Sequence, residues 1–251
     1  ITSPRTITTT GDAVSFATGV TLNGAGTTSI DTTNAGGSAT GANVTFSSTL
    51  TGTTTDVEHL TVNAGSGGNV LFTGAVGGTR LGDIVITNAN NVTESAGVTA
   101  KSLTQSAGGG TTLLTGAVNT DGATGVALTT SVITANNTIT TTNAGTVTFT
   151  NAGLLTLNGN ITSDGAVVQN GAGATSITSP RTITTTGDAV SFATGVTLNG
   201  AGTTSIDTTS GSATGANVTF SSTLTGTTTD VERSEEHTSE LQSQSTISYA
   251  V

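Results

Sequence analysis

The chain has 251 residues, a net charge of −10, no Cys, no Met and no Trp, and only 8% charged residues. That charge balance excludes nucleic acid as a partner, since a phosphate backbone needs a cationic face. With 33% hydrophobic residues, mostly Ala, Val, Leu and Ile, the chain lacks the mass for one thick core. It suits a thin core repeated along an axis, where each layer covers the next. Low aromatic content would also suit disorder, but the regular pattern described next opposes that.

The chain opens at Ile1 with no initiator Met and no charged-then-apolar leader, so the natural start is expected upstream and the segment is read as a fragment. No run of 18 apolar residues is present, so no membrane span is expected within it. Taken along the chain, short strands are predicted wherever Val and Phe stand two apart, because alternate residues of a strand share a side. All six Phe residues end such a pair: Val14/Phe16, Val44/Phe46, Val70/Phe72, Val147/Phe149, Val190/Phe192 and Val218/Phe220. Thr112-Leu113-Leu114 is a seventh copy with Leu in the Phe position. The same spacing recurs at Leu60-Thr61-Val62, Ile84-Val85-Ile86 and Leu155-Thr156-Leu157. Asn63-Ala64-Gly65, Asn143-Ala144-Gly145, Asn151-Ala152-Gly153 and Asn158-Gly159 punctuate these strands, as suits turns that need positive φ.

A longer repeat overlies this one. Residues 1–33 recur unchanged as 177–209, and residues 38–58 recur as 212–232 after a two-residue contraction, Asn34-Ala35-Gly36-Gly37 against Ser210-Gly211. The chain is therefore divided into a first long repeat unit (1–176), a truncated second copy (177–232) and a tail (233–251). The tail opens with RSEEHTSELQS (233–243), which resembles the conceptual translation of a sequencing-library adapter. It is read as a non-native assembly artefact. Without it, 12 acidic and 4 basic residues remain, a net charge of about −8.

The expected fold is all-β: a parallel β-helix, or β-solenoid, of roughly 20–25 residues per coil and about 50 Å in length. Stacked Asn and Thr ladders are expected along it. Tandem β-sandwich modules are the alternative.

Residues 43–93, NVTFSSTLTGTTTDVEHLTVNAGSGGNVLFTGAVGGTRLGDIVITNANNVT, resemble the repeats of giant bacterial proteins of the filamentous-haemagglutinin-like and autotransporter adhesin group. The likeness lies in the style V-T-F…G-A-V-G-G…L-G-x-I-x-I and extends over residues 1–232. It implies a right-handed parallel β-helix, a secreted or cell-surface location, and a role as stalk or attachment element. The secretion signal and binding tip of that group have no counterpart here.

Searching for chemistry gives little. Asp56, Glu58 and His59 could form a small polar cluster, though an exposed turn is the preferred reading. Neither Gly77-Gly78-Thr79-Arg80-Leu81-Gly82-Asp83 nor Asn119-Thr120-Asp121-Gly122 completes a calcium loop. The acids are scattered, as are Arg5, Arg80, Lys101 and Arg181, whereas glycan-cleaving sites need paired carboxylates. No catalytic, cofactor-binding or metal residue is assigned, no cofactor is expected, and an enzyme fragment is the weak alternative. Partners are expected to be neighbouring repeats of the same chain and a host-surface or glycan ligand of unknown identity. Thr runs at 6–10, 138–142 and 146–148 raise an ice-binding alternative, set against the plainer reading that Thr fills solvent-facing strand positions.

Overall fold

The computed structural model describes residues 1–227 and the backbone of the strand Glu232–His237. These residues contain no helix, and short parallel strands stack into a β-solenoid of about 9 turns. At ~4.8 Å between strands the rod is about 43 Å long, slightly shorter than expected. Tandem sandwiches are thereby excluded, since every ladder pairing between strands is parallel.

Each turn supplies three short strands, one to each face of a three-sided rod. The first face is a ten-stranded sheet running from Val14–Phe16 to Leu224–Gly226. The second runs from Val20–Thr21 to Gly202–Asp207, and the third from Arg5–Thr8 to Val218–Phe220. Two longer strands, Val76–Asn88 and Val98–Gln105, turn a corner and serve both the second and third faces. They join those ladders into one eighteen-stranded sheet.

Val-x-Phe behaves as its spacing requires. Val44–Phe46 buries its outer two residues and turns Thr45 outward, and the Val147–Asn151 strand alternates in the same way. Phe46, Phe149 and Phe192 are each 1% exposed. On the first face Phe16, Phe46 and Phe72 stack ring on ring at 5.0 and 5.2 Å. Phe192 and Phe220 stack at 5.5 Å on the third. Burying rings of 150–250 Å² in offset stacks is the largest apolar contribution such a small-residue core can make.

The in-register partners set the turn length. Leu103 pairs with Ile84 and Thr28 pairs with Leu60, so a turn takes from 19 to 32 residues, a wider range than the sequence suggested. Extra residues leave as loops, the longest being 32–43 between the third and first faces. In-register stacking also aligns like side chains. Asn69 Nδ2 donates to Asn43 Oδ1 (3.1 Å) and Asn91 Nδ2 to Asn69 Oδ1 (2.8 Å), forming the expected Asn ladder.

The long repeat does not occupy the same faces twice. Val14–Phe16 and Val44–Phe46 pair on the first face, while their copies Val190–Phe192 and Val218–Phe220 pair on the third. Arg5–Thr8 and Gly26–Asp31 lie on the third face, their copies Arg181–Thr185 and Gly202–Asp207 on the second. Local structure is nonetheless retained. Thr32 Oγ1 donates to Ala42 O and Thr208 Oγ1 to Ala216 O, both at 3.0 Å. From Arg5–Thr8 to its copy the chain advances through twenty-three face positions, three to a turn, or seven turns and two-thirds. The second copy is therefore rotated by one face. All three faces share the same inward alternation, so either placement buries the same side chains.

Glu232–His237 continues the second face, pairing in register with Gly202–Asp207. This backbone ladder reaches into the segment read as a non-native tail, and a ladder asks only for extended backbone. Residues 228–231 and 238–251, which hold most of that tail, lie outside the described residues.

Candidate functional site

Some of the charged residues that look scattered in sequence, Asp56, Arg80 and Asp121 above all, come together because successive coils bring residues 20–40 apart into neighbouring layers. Arg80 is the centre of this cluster. Its Nε lies 3.3 Å from Asp121 Oδ2 and 3.9 Å from Asp56 Oδ1. Its Nη1 donates to the carbonyl oxygens of Ala100 (3.0 Å) and Asn119 (3.3 Å), and its Nη2 to Asn119 Oδ1 (3.1 Å). One guanidinium thus ties together several successive coils. Burial and the neighbouring Asp121 carboxylate push the Asp56 pKa above its ordinary value, against the opposing pull of Arg80 and Lys101.

The turn preferred for Asp56, Glu58 and His59 holds at Asp56, whereas Glu58 and His59 open a strand. Three residues close in sequence diverge because strand Glu58–Asn63 alternates in direction. Glu58 points inward and is fully buried. Burial raises its pKa, but hydrogen bonds from the Thr53 hydroxyl (2.6 Å) and the Thr54 N–H (3.1 Å) outweigh that and hold it below the ordinary value. His59 points outward from the third face rather than sitting in an exposed turn. Its Nδ1 accepts from the Asp83 N–H (2.8 Å) and lies 3.3 Å from Asp83 Oδ2. Ser102 Oγ donates to Asp83 Oδ1 (2.7 Å). A nucleophilic serine needs an imidazole to take its proton, whereas here the hydroxyl meets a carboxylate and the imidazole nitrogen already accepts a backbone proton. The cluster is a polar seam that ties coils together.

The glycine-rich stretch from Gly77 to Asp83 is strand rather than loop, since it lies within Val76–Asn88. Asn119 and Thr120 likewise belong to strand Val118–Thr120, with Asp121 turned to Arg80. Among the described residues no group of three or more His, Cys, Asp or Glu side chains is placed to hold a metal ion.

Several buried polar residues interrupt the apolar columns, among them Gln105 between Ile86 and Leu128, and the sequence reading missed the two described next. Gln169 lies between Phe149 and Phe192 on the third face. Its amide donates to Asn151 Oδ1 (2.9 Å), Gly171 O (2.9 Å) and Gly173 O (3.1 Å), and its carbonyl accepts from the Ala193 N–H (3.1 Å). Glu94 lies between Phe72 and Leu114 on the first face and is 1% exposed. The Gly116 N–H donates to its Oε2 (3.1 Å), while Oε1 is enclosed without a partner. Beside it is a cavity of about 10 Å³ lined by Phe72, Leu114 and Leu128. Burial pushes the Glu94 pKa up to about 7, despite the backbone donors of Gly116 and Ala96. The signal was present: N-V-T-E-S-A-G-V (91–98) stands in register with N-V-L-F-T-G-A-V (69–76).

Fold and site together define a parallel β-solenoid with a charged seam across several of its coils. No family model, curated protein or solved structure matches the chain.

Proposed function

We propose that this chain is a structural and adhesive segment of a large secreted or cell-surface bacterial protein, a passive rod that carries loops outward and performs no catalytic step. The observation behind this reading is the continuity of the ladders. All three faces pass parallel strand to parallel strand along the rod, so the hydrogen bonds run along the axis and pulling on the chain must peel coils from an end. The resemblance of residues 43–93 to adhesin repeats supports the same assignment and supplies the expected location. The seam around Arg80 suits it too, since one guanidinium spanning several layers resists their separation.

Beads coated with the chain should be retained under flow on host-cell or polysaccharide surfaces more strongly than beads coated with an inert protein. Equal retention would remove the adhesive half of the proposal. A scattering profile of a compact sphere instead of a rod would remove the structural half.

A further inference from the structure

At the corner between the first and second faces, three successive coils leave a shallow groove of about 240 Å³ lined by Asn136, Asn137, Thr138, Asn158, Asn160 and Arg181. Its hydrogen-bonding balance is one-sided. Asn136 Oδ1 accepts from Asn158 Nδ2 (2.8 Å), and Asn158 Oδ1 accepts from Thr178 Oγ1 (2.6 Å). Asn137 Oδ1 accepts from the Thr138 N–H (2.8 Å), and Asn160 Oδ1 from the Thr182 N–H (3.0 Å). Three of these four amide oxygens are therefore engaged between coils, and the fourth, of Asn137, by the adjacent backbone. The NH₂ groups of Asn136, Asn137 and Asn160 donate to nothing among the described residues.

Arg181 adds a charge of the same character. Its Nη1 donates to Pro180 O (2.5 Å), its Nε is enclosed without an acceptor, and no carboxylate pairs with it among the described residues. Arg80, by contrast, is held between two carboxylates. In a chain of net charge −10, this groove is a patch of unspent donors around one cation. Such a surface complements a planar anion flanked by acceptor oxygens, the pairing for which a guanidinium is best shaped.

We infer that the groove binds a carboxylated saccharide of the uronate class, with the carboxylate on Arg181 and ring hydroxyls accepting from the Asn amides. The inference deepens the adhesive reading and rests on it for its biological meaning. The groove also belongs to the junction between repeat units. Its amides come from the end of the first unit and its cation from the second copy. Arg5, the same residue in the first copy, is exposed and lies on the third face.

The test titrates short oligogalacturonates, neutral maltooligosaccharides of matched length, acetate and sulfate into the full chain at physiological salt, where the net charge is screened beyond about 8 Å. Side-chain amide resonances report the site. Oligogalacturonate should shift the NH₂ signals of Asn136, Asn137 and Asn160, and the neutral sugars should not. Arg181→Gln should weaken binding roughly ten-fold or more, as expected for losing a charge-assisted contact. Arg5→Gln, an equal change of net charge in identical local sequence, should leave it unchanged. Absence of binding, equal binding of neutral sugars, equal loss in the Arg5 variant, or an adventitious ion only (acetate or sulfate as tight as the uronate) would each overturn the inference. Binding that persists while coated beads fail to adhere would keep the groove and remove the adhesive role.

Discussion

Replacing Glu94 should make the solenoid more stable, by an amount that depends on pH in a direction fixed by the structure. The side chain is 1% exposed, has one oxygen without a partner, and stacks between Phe72 and Leu114. Its pKa is raised from 4.5 to about 7. Between these values the unfolded chain releases a proton that the folded chain keeps, so wild-type stability falls as pH rises from the lower to the upper value and is level above it. The loss amounts to about 3 kcal/mol, at 1.36 kcal/mol for each pKa unit. Glu94→Gln abolishes that slope because nothing at the position ionises. Glu94→Leu also fills the column, but leaves the Gly116 N–H without its acceptor at a cost of about 1–3 kcal/mol. If it matches wild type near pH 5, it should exceed it by roughly 2–3 kcal/mol near pH 8, most of the wild-type loss. Hydrogen exchange of the amides in residues 92–116 measures this locally, which suits a rod whose coils open in sequence rather than all at once. A wild-type protein whose exchange differs from Glu94→Gln by the same factor at both pH values would refute the reasoning.

Three further outcomes follow from other parts of the rod. Phe46→Ala removes the middle ring of the stack Phe16–Phe46–Phe72 and should cost about 3–5 kcal/mol, seen as early thermal loss of the β signal by circular dichroism. Arg80→Gln leaves Asp56 and Asp121 facing each other without their shared cation. It should lower stability by roughly 1–2 kcal/mol at neutral pH, and the deficit in denaturant midpoint should shrink as pH falls through the carboxylate range. No thermal hysteresis is expected at millimolar protein, because Val85, Ala127 and Val168 interrupt the outward rank of Thr61, Thr104 and Thr148 on the third face, and Asn119 stands between Thr99 and Thr140 on the second. Measurable hysteresis would restore the ice-binding alternative.

Much of this architecture could be read before any coordinates, for a definite reason. In Val44-Thr45-Phe46 the residue identities state the side chain's direction outright, and the period of two leaves one arrangement for the interior. Coil lengths are not stated that way. Arg80 meets Asp56 and Asp121 only because particular loops are long or short, and no local pattern around those residues announces it. Glu58 and His59 read as an exposed turn from their polar surroundings, but they open a strand, where neighbours point apart. Glu94 was legible through its register with Phe72, but an alignment built on apolar residues passes over the acid standing in their place. The corner groove was hidden for a related reason, since Asn-Gly reads as a turn and does not reveal which end of each amide the turn consumes.

The mismatch between repeat length and winding has a consequence for anything that meets this rod from one side. The loop 32–43 and its counterpart 208–217 share their sequence on either side of the contraction. They leave from different corners, one between the third and first faces and the other between the second and third. Viewed down the axis they stand a third of a revolution apart, so a flat surface touching one cannot lie against the other. A partner that wraps around, or several small partners arriving from different directions, can occupy both. Equal spelling in this chain therefore does not mean equal bearing.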